Sequence, residues 1–260
     1  MLWLSVHSVA TCRIYIKSAR KEPLVPSAAN PKLKTQNSKP SSATSATIVA
    51  HLRAHRNPRD AEGARRYGIA PRVELLGLRA PMLRALARQH RRDHALALAL
   101  WAQSIHEARI LAALIDDPRQ VTRGQMEAWA RDFDSWAIVD ACCTQLFNHT
   151  PFAIDRVRVW SRRRAEYVKR GAFSLMAGLA VHAKQLPDEV FLDFLSIIAR
   201  EATDERNFVK KAVNWALRQI GKRNPPLRRA ALATAREILA LDTPAARWIA
   251  RDAIRELKNR

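Results

Sequence analysis

The stretch PDEVFLDFLSIIAREATDERNFVKKAVNWALRQIGKRNPP (187–226) decides the fold, because it holds one complete repeating unit. Its apolar residues recur at the helical period rather than in alternation, which predicts two helices, 187–201 and 206–222, joined by a short polar turn. Pro187 opens the first, with Asp188 and Glu189 complementing the positive end of that helix, and Pro225 opens the helix beyond. On the second helix Val209, Val213, Ala216, Leu217 and Ile220 gather on one side, with Lys211, Trp215, Arg218 and Lys222 opposite. Tryptophan ordinarily buries its large apolar area. An indole on the wet face, with cations at i−4, i+3 and i+7, therefore describes a surface built to be covered by something anionic and flat or sugar-like.

The same pattern extends in both directions. From Ile48 onward the periodicity is helical almost everywhere, predicting helices near 46–55, 58–66, 80–91, 93–103, 105–116, 122–132, 135–148, 151–161, 164–183, 226–240 and 244–258 besides the two above. Pro81, Pro118, Pro151 and Pro244 sit at or just before helix starts, and Asp134 and Ser135 stand where they can cap the helix that follows. Paired helices recur every 35 to 45 residues, the period of HEAT and armadillo arrays, although no repeated motif aligns by eye. The fold expected for 48–260 is all-α: a right-handed superhelical solenoid of HEAT/armadillo-like helix pairs with a concave basic groove suited to a rod-like ligand.

Composition narrows the ligand. The 260 residues are 48% apolar with only 7 glycines, enough for a substantial core. Lysine and arginine number 45 against 24 acids, a formal +21, which favours a polyanionic partner, nucleic acid first and a membrane surface second. A GC-rich gene gives the same arginine bias, so charge alone does not decide. No run approaches the roughly 18 apolar residues that a spanning helix needs. Cys12, Cys142 and Cys143 contain no CxxC pair, so neither a disulfide framework nor a zinc site is expected, and the compartment is read as reducing and cytoplasmic. Residues 1–47 differ in kind: Glu22 is their sole acid, they carry +6 and leave +15 on 48–260, and KPSSATSAT reads as a flexible linker. They are read as a disordered basic extension. The opening MLWLSVHSVATC, followed by RIYIKSARK, has its charges on the wrong side for a secretion signal.

Three adjacent helical layers then offer candidates for chemistry. In DSWAIVDACCTQLFNH (134–149), Val139, Cys142, Cys143 and Leu146 form the core stripe, with Trp136 and Asp140 four apart along its edge. Asp140 is a poor helix former in an apolar setting, so it needs either a structural partner on a neighbouring helix or a functional one. In RRRAEYVKRGAFSLMAGLAVH (162–182), Val168, Ala172, Leu175, Met176 and Leu179 are core, and Arg170 points away from them into solvent with Arg163 nearby. The third helix contributes Trp215 and Arg218. His106 has no spaced partner for a metal and reads as a packing or capping residue, and no P-loop, HExxH, GxSxG or zinc-deaminase signature occurs.

At these residues the sequence resembles the DNA alkylation repair glycosylases of the AlkD-like type, built of HEAT-like repeats. The resemblance covers roughly 48–258 and rests on LLGLRAPMLRALAR (75–88), LWAQSIHEARILAALIDD (100–117), SWAIVDACC (135–143), YVKRGAF (167–173) and FVKKAVNWALRQIGKRNP (208–225). It places Trp136 and Asp140 beside the lesion, with Arg170 and Trp215 in the corresponding arginine and tryptophan positions. Many members have aspartate straight after the first tryptophan, where this chain has Ala137. The resemblance implies a monomeric hydrolase that needs no metal or other cofactor, acting in a bacterial cytoplasm on double-stranded DNA carrying 3-methyladenine or 7-methylguanine.

The mechanism so implied is short. The alkylated purine is cationic and already a good leaving group. Asp140 stabilises positive charge growing on deoxyribose and orients or deprotonates the attacking water. Trp136 and Trp215 pack against the sugar-phosphate backbone, Arg170 and Arg218 grip flanking phosphates, and Lys211, Lys222, Arg223 and Arg163 add phosphate contacts independent of sequence. The residues leave two other readings open. A non-catalytic helical-repeat nucleic-acid scaffold would give Asp140 a structural job, and a protein-interaction solenoid would leave the cation-ringed indole without a purpose.

Overall fold

The computed structural model describes residues 42–259, and the expectation for 1–41 lies outside them. Thirteen α-helices follow one another among the described residues: α1 (Ser42–Ala54), α2 (Pro58–Arg66), α3 (Ala80–Gln89), α4 (His94–Trp101), α5 (His106–Ile115), α6 (Arg123–Arg131), α7 (Trp136–Ala141), α8 (Ala153–Trp160), α9 (Glu166–His182), α10 (Asp188–Glu201), α11 (Asn207–Gly221), α12 (Pro225–Ala240) and α13 (Pro244–Lys258). β-structure among these residues is limited to one bridge, Glu74 with Ile105. The first helix begins at Ser42, so the end of the expected linker is helical.

Sequence chemistry fixes the helix starts. Asn57, Asn224 and Thr243 each accept the backbone N–H three residues on, at 3.1, 2.9 and 3.2 Å, and each is followed by a proline whose missing donor would have had no partner there. Asp93 and Thr122 cap α4 and α6 in the same way. Ser135 occupies the cap position of α7, but its hydroxyl makes no such bond, and Asp134 accepts the Arg72 N–H at 2.9 Å instead. The expected cap at 134–135 is therefore corrected: the turn is tied to the neighbouring loop.

The helices stack as pairs, and the second members form one continuous layer: α5 packs on α7, α7 on α9, α9 on α11 and α11 on α13. The first members α10 and α12 pack together on the other side. Between them runs a core of fully buried side chains, including Trp160, Phe173, Phe191, Phe194, Val213 and Leu217. The repeat is also visible in the bonds between neighbouring units, which join residues a similar distance apart in sequence: 33 for Trp160 to Glu127, 35 for Arg158 to Asp193, 36 for Asn224 to Asp188 and 38 for Asn214 to Asp252. That is the all-α solenoid of HEAT-like helix pairs expected from the sequence.

One helix departs from its expected form. The single helix predicted over 135–148 is α-helical only to Ala141, then passes through a π-helical turn (Cys142–Leu146) and a 3₁₀ turn (Phe147–His149). Val139, Cys142, Cys143 and Leu146 still reach the core. The Thr144 hydroxyl donates to the Asp140 carbonyl at 2.7 Å, within the widened turn.

Candidate functional site

Asp140 is the last residue but one of α7, and the layer of second helices brings α9 against it. Its carboxylate receives three bonds: Oδ1 from Arg170 Nε at 3.1 Å and from Ser174 Oγ at 2.8 Å, and Oδ2 from Arg170 Nη2 at 2.8 Å. Arg170 and Ser174 lie one turn apart on α9, so one helical face delivers both donors. The remaining guanidinium nitrogen, Nη1, donates to the Phe208 carbonyl at 2.7 Å. A single planar fork thus ties α7, α9 and α11 together. Asp140 and Arg170 are 6% and 7% exposed, unlike the fully enclosed Val139 and Cys142 beside them. A small part of the pair therefore reaches solvent, whereas its enclosed neighbours do not.

This corrects the expectation for Arg170. The sequence places it 200° from the core stripe and so in solvent, yet the neighbouring repeat covers that side and its charge is spent on Asp140. Two oxygens offer about four acceptor sites. Three are filled among the described residues, which leaves one on Oδ2.

The surroundings extend along the same layer. Trp136, one turn before Asp140 on α7, is half-buried and donates its indole N–H to the Tyr67 carbonyl at 3.0 Å. Tyr67 and Gly68 form the turn after α2, and Gly68 holds φ +79°, with a would-be Cβ 2.6 Å from the Phe208 ring. Phe208 also stacks on Tyr167, ring centres 5.7 Å apart. The α2 turn, α7, α9 and α11 therefore close around Arg170. Lys211 follows on α11; burial, then the Arg170 guanidinium and Lys210, hold its ammonium below the usual lysine range. It has no ion-pair partner among the described residues.

Trp215, one turn beyond Lys211, is 8% exposed. Its expected place on the wet face is corrected: α10, α12 and α13 pack around α11, so the side of the helix opposite Val213 is covered as well. The same packing takes up the cations expected to meet phosphate. Arg218 Nη1 lies 2.5 Å from Glu256 and 3.5 Å from Asp252, and Lys222 pairs with Glu256. Burial pushes the Glu256 carboxyl up, but Lys222 and Arg218 more than offset it and hold it below the usual range. Arg223 donates to the carbonyls of Ala180, Lys184 and Leu186 and lies over the Phe191 ring at 4.3 Å. Arg218, Lys222 and Arg223 are thus staples between repeats, and of the expected phosphate contacts Lys211 and Arg163 remain open. Arg163, more than half exposed and 3.7 Å from Glu127, lines a cleft of about 450 Å³ with Arg131, Arg164, Phe133 and Tyr167.

Other groups have structural roles. Glu107, which the sequence reading passed over, is buried and accepts the N–H groups of Leu76, Gly77 and Leu78, pinning the loop before α3. His106 is buried as a packing residue. Cys142 and Cys143 are free thiols that burial pushes well up, the opposite of an activated nucleophile. Ser174 was also missed, although a serine one turn after Arg170 within the apolar run AFSLMAGLA is the kind of polar intrusion that signals a bonded partner.

With the geometry in place, comparison with known proteins gives one decisive match: residues 48–257 fit the DNA alkylation repair enzyme family. The chain belongs to that family. Comparison with curated proteins finds no match. A solved structure described as "a new family of proteins related to the HEAT-like repeat DNA glycosylases with affinity for branched DNA structures" superposes with a TM-score of 0.66 at 18% identity, over 74% of this chain and 82% of that one. At that identity the likeness concerns the fold. In this DNA alkylation repair family member, the buried Asp140–Arg170–Ser174 group, through the Phe208 carbonyl, joins three of the second helices.

Proposed function

We propose that the protein is a DNA glycosylase that hydrolyses the N-glycosidic bond of cationic alkylated purines, 3-methyladenine and 7-methylguanine, in duplex DNA. The observation that carries this reading is the carboxylate of Asp140, slightly exposed and held by three bonds, with one acceptor site unfilled among the described residues. A carboxylate fixed by a bidentate partner needs no reorganisation as positive charge develops opposite it. The alkylated base leaves with the electron pair of the C1′–N bond and becomes neutral, so no strong general acid is required. Positive charge passes to the sugar, where Asp140 stabilises it. Water then bonds to C1′ and gives its proton to the carboxylate or to solvent.

Arg170 and Ser174 are positioning residues in this scheme, since both act through Asp140. Trp136, at the edge of α7, is the indole available to pack against the deoxyribose. Trp215 supports the α11 wall, from which Lys211 meets a backbone phosphate, and Arg163 meets another beside the 450 Å³ cleft. No step calls for a metal, because the substrate supplies its own activation. Alkylated duplex DNA is the partner, and the chain acts as a monomer.

The affinity for branched DNA ascribed to the structural neighbour favours a second reading, a non-catalytic DNA-binding scaffold. The two readings part in one experiment. The full chain, in EDTA, is expected to release methylated purines from treated duplex DNA; binding without release would select the scaffold.

A further inference from the structure

Among the described residues α13 is the last member of the second-helix layer, and it carries an exposed indole. Trp248 is 38% exposed, and Lys210 of α11 places its ammonium 6.0 Å from the indole ring centre. Arg251, Arg255 and Lys258 follow Trp248 at spacings of three, four and three, so they share its helical face over about 15 Å. Arg255 is engaged by Asp252, whereas Arg251 and Lys258 are exposed and have no ion-pair partner among the described residues. The acids of this helix, Asp252 and Glu256, turn toward α11, where Asn214, Arg218 and Lys222 hold them. The face is therefore an indole followed by cations, with its carboxylates directed away.

We propose that this face of α13 binds the unpaired end of a DNA strand, with one base stacked on Trp248 and its flanking phosphates on Lys210 and Arg251. An exposed aromatic face among unpaired cations matches a nucleotide in both parts: the base covers the indole and the phosphate neutralises the charge. Intact duplex hides its base faces, so the partner must be a strand end, an overhang or a flap. A second copy of this chain would set one basic stripe against another. The inference rests on the DNA-binding part of the proposed function and is independent of base excision.

The test measures fluorescence anisotropy of a labelled blunt duplex and of the same duplex carrying a short thymidine overhang, with the full chain at one salt concentration. The parent is expected to prefer the overhang. Trp248→Ala should weaken overhang binding about fivefold or more, the lower end for one stacked base, with less than about a twofold effect on the blunt duplex. Trp248→Phe should keep most of the preference, and Arg251→Gln should reduce it. Thermal melting checks that each variant is folded; should Trp248→Ala fail to fold, the Arg251→Gln result decides. The proposal is overturned if the parent binds both DNAs alike, if the variants weaken both equally or neither, or if polyglutamate displaces the overhang as well as an oligothymidylate does. A parent that binds no DNA at all would overturn the proposed function too, whereas blunt-duplex binding without overhang preference would overturn this inference alone.

Discussion

Arg170 reaches three helices with one guanidinium, and most of what its neighbourhood does follows from that geometry. Removing it leaves Asp140 as a nearly buried carboxylate with a single hydroxyl partner, so Arg170→Ala is expected to cost about 3 kcal/mol of stability. Arg170→Lys keeps the charge but loses the fork that bonds both carboxylate oxygens, and should fall between the two. Urea unfolding with an unchanged m-value checks the order parent, Lys, Ala. His106 carries a separate prediction. Burial, then Arg109, push its pKa from 6.5 down to about 4. The unfolded chain takes up a proton near 6.5 that the folded chain refuses until about 4. Stability therefore declines as pH falls through that window, by about 2 kcal/mol between pH 7 and pH 5 from this group. His106→Gln should remove that portion of the slope in urea titrations at the two pH values. The identity of these residues was legible in sequence, but their environments were less so. Asp140 stood out as a polar residue in an apolar run. A helical projection assigns Arg170 and Trp215 to solvent, because it knows the face of one helix and nothing of the helix that covers its back. Trp248 shows the complementary case: no helix among the described residues covers its face, so it stays open there.

At the scale of elements, helix positions followed from periodicity and punctuation. The pairs Asn57–Pro58, Asn224–Pro225 and Thr243–Pro244 each combine a side-chain cap with a proline at the first helical position. The π-helical turn after Asp140 was not legible, since its residues keep a helical apolar pattern and the extra backbone residue has no sequence mark. Neither was Glu107, whose carboxylate holds the 76–78 loop from 30 residues away. That loop gives a paired prediction. Gly77 has φ +80°, and an added Cβ would stand 2.2 Å from the Asn57 carbonyl oxygen, which is backbone and cannot turn aside. Gly77→Ala should therefore lose at least the 1–2 kcal/mol that left-handed backbone costs, by rough estimate. Gly63 lies within α2 with open space around it. Gly63→Ala is expected to gain up to about 1 kcal/mol, so thermal melting should move the two variants in opposite directions.

Across the whole molecule, the formal +21 is not a uniform coat of available cations. Arg218, Lys222 and Arg223 spend their charge on the adjoining repeat, so the bonds that stack the solenoid also decide which cations remain for DNA. Lys211→Ala should lower the slope of log affinity against log salt by about one while leaving the melting temperature nearly unchanged. Arg218→Ala should do the reverse, with little effect on the slope and a lower melting temperature. Salt titrations of duplex binding beside thermal melts distinguish the two outcomes.

The central claim is that Asp140 performs chemistry on DNA rather than only joining helices, and release of methylated purine by Asp140→Asn tests it most directly. Asparagine keeps the size and one acceptor oxygen but removes the negative charge that a developing sugar cation requires. The parent chain should free 3-methyladenine or 7-methylguanine from methylated duplex. The variant, confirmed as folded by melting and binding the same duplex within a few-fold, should release it at least about a hundredfold more slowly. Release at the parental rate by the folded variant would contradict the account.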